Sequence, residues 1–125
     1  VASTSAFSKG PSPESTPGAK TVNAAEAKEL WKNGATFIDT RKDSDCEAGR
    51  VPGALHINIK KPEEFNAENI LQYIGINDPV VSYCNAQKCH RAYKGAKKLV
   101  EFGFTNVYYY RDGFPSWKNA GYPYE

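Results

Sequence analysis

From Thr21 to the C-terminus, apolar positions switch repeatedly between two spacings. Four short runs, "ATFIDT" (35–40), "ALHINI" (54–59), "PVVSYC" (79–84) and "NVYYY" (106–110), are rich in β-branched and aromatic residues and predict strands. Helical patterns lie between them. Asn23 precedes "AAEAKELWKNG", with Glu26 three residues later completing a capping-box pattern and Gly34 ending the helix. "PEEFNAENILQYIG" opens with Pro62 at a favoured first helical position and closes at Gly75. Ala92, Ala96, Leu99 and Val100 recur at helical spacing, and Gly103 closes that helix. "FPSWKNAG" predicts a short terminal helix.

Alternating strands and helices of this length predict an α/β domain over residues 21–125, a mostly parallel sheet with helices on both faces. Residues 1–20, "VASTSAFSKGPSPESTPGAK", are rich in Ser, Pro, Gly and Thr and nearly free of large apolar groups. Such a segment buries too little surface to offset its ordering entropy, so a flexible tether is expected there. With no methionine in the chain, the sequence is expected to begin inside a longer precursor. Export, to a periplasm for example, is the expected localisation and the cytoplasm the alternative.

Composition narrows the classes of function. Hydrophobic residues at 40% and charged residues at 24% are ordinary for a globular domain. A net charge of +2, without a basic patch interleaved with aromatics, argues against nucleic acid as a partner. No apolar run approaches the roughly 20 residues needed to span a bilayer. Three cysteines cannot all pair within one chain, which argues against a disulfide scaffold.

In a parallel sheet, ligands bind outside the carboxyl ends of the strands. The residues just past the predicted strand ends are Arg41, then Lys60 and Lys61, then Cys84, then Arg111. Cys84 closes an apolar strand, and its loop runs directly into a helix N-terminus. Unpaired backbone N–H groups and the helix dipole favour thiolate over thiol there, and Lys88, His90 and Arg91 push the same way. A thiolate in such surroundings is suited to attack an anionic substrate and to hold a negatively charged product on sulfur. Cys89, with four residues between it and Cys84, has three open roles: disulfide partner, resolving thiol or loop filler. A zinc site at Cys84, Cys89 and His90 lacks a second ligand pair downstream, so no metal is expected. Cys46 and His56 read as packed, structural residues. Trp31, Trp117 and residues 108–110 read as packing rather than as a cofactor box.

Three blocks, "FIDTRKDSDCEAGRVPGALHINI", "YCNAQKCHRA" and "NVYYYRDGFPSWKNAGYP", resemble the signature blocks of the rhodanese-like family. The first carries Asp39, Arg41, Gly49, Pro52, Gly53 and Ala54, and the last Asp112, Gly113 and Trp117. The resemblance implies a five-stranded single-domain sulfurtransferase fold with no cofactor. It implies Cys84 as the nucleophile, moving a sulfane sulfur from thiosulfate or polysulfide to a thiol or protein acceptor through a persulfide. Substrate binding then falls to Asn85, Ala86, Gln87, Lys88, Cys89, His90 and Arg91 of the loop, with Arg41 and Arg111. A monomer with small anionic donors is expected.

There are departures. Arg50 stands where the family usually has histidine, and the loop, of the form Cys-Asn-x-x-x-Cys-x-Arg, is about two residues longer than usual. A longer loop widens the pocket and so bears on the choice of substrate. A phosphatase or arsenate reductase of related fold requires arginine six positions after the cysteine, where this chain has His90. A non-catalytic docking module and a redox protein using Cys84 and Cys89 are the remaining alternatives.

Overall fold

The computed structural model describes residues 10–125. Its elements alternate as the hydrophobic pattern requires: β1 (Ala19–Thr21), α1 (Ala24–Lys32), β2 (Thr36–Asp39), α2 (Asp43–Ala48), β3 (Leu55–His56), α3 (Ala67–Ile70), β4 (Val80–Tyr83), α4 (Arg91–Glu101), β5 (Val107–Tyr110) and α5 (Gly113–Asn119). The five strands form one parallel sheet in the order β1-β5-β4-β2-β3. β4 lies at its centre. The chain crosses from one side of β2 to the other after β3, so the gap between the ends of β2 and β4 is the point where ligands enter folds of this kind.

Strand periodicity divides the core in two. Ile38, Val80, Cys84, Val107 and Tyr109 face α4, where Ala92, Ala96 and Leu99 cover them. Phe37, Val81, Tyr83 and Tyr110 face the other way, against Ala27 of α1 and Phe114 and Trp117 of α5. Position 84 continues the β4 alternation, which turns the cysteine toward α4. α4 approaches the sheet closely because Gly95 has no side chain: a Cβ there would lie 2.7 Å from Ser82 Oγ and 3.0 Å from Thr40 Cγ2. Ser82 Oγ also donates to the Ala92 carbonyl at 2.9 Å.

The capping box of α1 is present in both directions, with Glu26 N to Asn23 Oδ1 at 2.8 Å and Asn23 N to Glu26 Oε1 at 2.9 Å. Two predicted elements are shorter than their patterns. The helix expected from Pro62 is a series of turns until Asn66. That side chain caps Ala67–Ile70 through Asn69 N and also donates to the Pro62 carbonyl. Local side-chain bonding of this type competes with helix continuation. The strand expected over 54–59 pairs only at Leu55 and His56.

The tether expected over residues 1–20 does not extend to its predicted end. Its first part, residues 1–9, lies outside the described residues. From Ser12 onward the chain is packed: Ser12 and Thr16 are buried, Ser12 N donates to the Gln87 carbonyl at 2.6 Å, and Tyr109 Oη donates to the Pro13 carbonyl at 2.8 Å. Ala19–Thr21 then pairs with β5 as an edge strand. Polar contacts tie this segment down where apolar burial does not, and composition carries no trace of them.

Among the described residues, no helix is long and apolar enough to cross a membrane.

Candidate active site

Cys84 directly follows β4 and is 1% exposed. Residues 85–90 loop over it and lead into α4, whose N-cap position is His90. Within that loop Cys89 N donates to the Ala86 carbonyl at 2.9 Å. Cys84 and Cys89 form a disulfide, with Cα atoms 6.4 Å apart. Of the three roles open to Cys89, the structure adopts the pairing. Cys46 is the free thiol, buried in α2, and burial raises its pKa despite a hydrogen bond from Arg50. A thiol so placed stays protonated and inert.

The arginines past the strand ends hold the scaffold. Arg41 is 3% exposed, and its Nε and Nη2 grip the Asp39 carboxylate at 2.7 to 3.1 Å. Nη2 also donates to the Gly49 carbonyl, and Nη1 to Asn85 Oδ1 at 3.2 Å. Desolvation lowers the Arg41 pKa, but the hydrogen bond and charge of Asp39 outweigh it and leave the guanidinium above its ordinary value. Asp39 receives a further bond from Tyr83 Oη at 2.9 Å. Arg41 therefore meets the loop from beneath, through Asn85, rather than opening toward solvent. Arg111 spends Nε and Nη2 on the Ser12 carbonyl, fastening the N-terminal segment. Arg91 donates to the Thr40 carbonyl and to Asn58 Oδ1, at 3.2 and 3.1 Å.

The remaining loop residues divide between scaffold and surface. Asn85 Nδ2 reaches Asp45, and Gln87 Nε2 reaches Asp112 at 2.8 Å. His90 Nε2 lies 3.2 Å from the Gly10 carbonyl. Lys88 and Lys60 are exposed and, with Cys89, His90, Arg91 and Lys94, line a cavity of about 270 Å³. Lys61 instead pairs with Asp43 and Glu64. Its hydrogen bond to Asp43 raises the Lys61 pKa and lowers that of Asp43.

Three contributors were not among the site residues expected from the sequence. Gly113, at φ +71°, lies so close to the cysteine that a Cβ would collide with the Cys84 carbonyl and stand 2.9 Å from Asn85. Phe114 N then donates to that carbonyl at 2.8 Å, which locks the third signature block against the first residue of the loop. The signal was the Asp-Gly pair itself. Asn58, buried two residues past the end of β3, accepts a hydrogen bond from Arg91. Lys94 joins the cavity because it lies one helical turn beyond Arg91.

The rhodanese-like domain model matches residues 23–120. A thiosulfate sulfurtransferase GlpE of Pseudomonas fluorescens is 28% identical over 109 residues, 85% of this chain and 90% of that protein. Among solved structures, the human single-domain sulfurtransferase TSTD1 superposes with a TM-score of 0.68 at 24% identity, over 81% of this chain and 96% of its own. The BH2092 protein of Bacillus halodurans reaches 0.73 at 21% identity, over 86% and 77%. With the five-stranded order, the cysteine closing the central strand and a family match over most of its length, this chain belongs to the rhodanese-like domain family.

Proposed function

We propose that the protein is a sulfurtransferase of the rhodanese type, with Cys84 as the sulfur carrier. The observation that carries this is the position of Cys84: it closes the central strand at the topological switch point, beneath a loop that runs into the N-terminus of an eleven-residue helix. The name of the Pseudomonas fluorescens relative supports the same reading.

In the disulfide state both sulfurs are engaged, so the transfer cycle starts with reduction to the dithiol by an external thiol pair, which is itself oxidised to a disulfide. The Cys84 thiolate then attacks the outer sulfur of thiosulfate. The sulfur–sulfur bond of the donor breaks, its electron pair leaves with sulfite, and the outer sulfur remains on Cys84 as a persulfide. A thiophilic acceptor attacks that terminal sulfur and returns the thiolate. This is a double displacement in which one covalent intermediate links two partners. Lys60, Lys88 and Lys94 supply a positive rim for the anionic donor.

The test is thiocyanate formation from thiosulfate and cyanide, before and after reduction. Reduced wild type is expected to turn over with ping-pong kinetics, the oxidised form to be silent until reduced, and Cys84→Ser to be inactive. Cys89→Ser is expected to remain active and to need no reductant. An inactive reduced wild type would favour the docking module, and an active Cys84→Ser would remove the nucleophile.

A further inference from the structure

The disulfide presents its two sulfurs unequally. Cys84 is 1% exposed, whereas Cys89 is partly exposed and lines the 270 Å³ cavity with Lys60, Lys88 and Lys94. Among the described residues, none of these three lysines has a carboxylate within ion-pair distance. Arg91, on the same wall, is turned toward Thr40 and Asn58. The cavity is therefore a small cationic entry with the more exposed cysteine of the disulfide in its wall. Its shape and charge suit a small anionic sulfur nucleophile.

We infer that the disulfide form is itself reactive, taking sulfur directly from inorganic sulfide with the Cys84–Cys89 bond as oxidant. Hydrosulfide attacks Cys89 Sγ. A new sulfur–sulfur bond forms on Cys89, the Cys84–Cys89 bond breaks, and its electron pair leaves on Cys84 as thiolate. The incoming sulfide is oxidised by two electrons to the sulfane level, and the disulfide is reduced by the same two. Cys84 is the leaving group because attack on one sulfur of a disulfide expels the other, and Cys89 is the partly exposed sulfur-bearing residue in the cavity wall while Cys84 is buried. In a second exchange the Cys84 thiolate attacks the outer sulfur of the Cys89 persulfide. That bond breaks, the electron pair returns to Cys89, and Cys84 holds the persulfide. Only this last exchange rests on the reading of Cys84 as sulfur carrier.

The experiment is a single turnover. Oxidised full-length chain is mixed anaerobically with sodium sulfide, desalted, and assayed for protein-bound sulfur by intact mass and by thiocyanate release with cyanide. One cyanolysable sulfur per chain is expected from the oxidised protein and none from the reduced protein, which has no oxidant. Cys89→Ser, which cannot form the disulfide, is expected to take no sulfur from sulfide. Replacing Lys60, Lys88 and Lys94 together by Ala is expected to slow sulfide uptake about tenfold, the lower end of the range for charge-focused clefts. Recovery of a dithiol carrying no extra sulfur, or no reaction at all, overturns the inference. An unchanged rate in the triple lysine variant overturns the cavity as the route. Loading from sulfide without loading from thiosulfate upholds the inference and refutes the proposed donor, and the converse pattern does the opposite.

Discussion

Removing the Arg41 side chain separates two roles that a cation at a strand end can play. Its side chain is 4% exposed and that of Asp39 0%, so the pair is a buried one. Arg41→Ala leaves Asp39 with hydrogen bonds from the Tyr83 hydroxyl and the backbone N–H of residue 41 but, among the described residues, with no cation in ion-pair contact. It also strips the Gly49 carbonyl and Asn85 of their donor. Breaking one side of a buried ion pair costs about 3–5 kcal/mol, against about 5–15 kcal/mol for the whole stability of a domain. With a urea slope of about 2 kcal/mol per molar, the unfolding midpoint falls by about 2 M. Fluorescence of buried Trp117 reports the transition. The double variant Asp39→Asn with Arg41→Met leaves no uncompensated charge and is expected to be more stable than Arg41→Ala alone. Arg41→Lys keeps the charge but not the fork and is expected to fall between wild type and Ala. If Arg41→Ala unfolds like wild type and only raises KM for thiosulfate, the guanidinium binds substrate and the scaffold argument fails.

Gly113→Ala forces a side chain into the left-handed region and against the Cys84 and Asn85 backbone, at a combined cost of about 2–5 kcal/mol. Thiosulfate turnover of the folded fraction is expected to fall as much as about a hundredfold, because the cysteine backbone is displaced; wild-type stability and rate together would refute the contact. Stability is also expected to decline at high pH. Burial raises the phenol pKa values of Tyr83, Tyr109 and Tyr110 above their ordinary 10.0, that of Tyr110 to about 12. A raised folded value means that the contribution is whole below 10.0 and is lost as pH rises through the folded values. Urea midpoints measured from pH 8 to 11 are expected to be level and then fall, and Tyr83→Phe to flatten the fall; an unchanged slope in that variant would remove Tyr83 as a contributor.

The alternation of strand and helix patterns determined the fold class, because each element must bury one face and parallel strands need helical crossovers. The same reading put Cys84 at a strand end and the capping box at Asn23, since both depend on neighbours within a few residues. Arg41 and Arg111 show where local reading stops. From sequence each is a cation past a strand end, and only the fold supplies Asp39, Gly49 and Asn85 to the first and the Ser12 carbonyl to the second. The packed segment from Ser12 to Thr21 was illegible for the same reason: its partners are Gln87, Tyr109 and Arg111, each at least 75 positions away, and polar contacts leave no periodicity. The state of Cys89 was likewise beyond spacing alone. Whether two cysteines with four residues between them meet depends on the path of the loop, and that path is set from outside it, by Arg41 beneath Asn85, Gly113 against Cys84 and Asp112 beside Gln87.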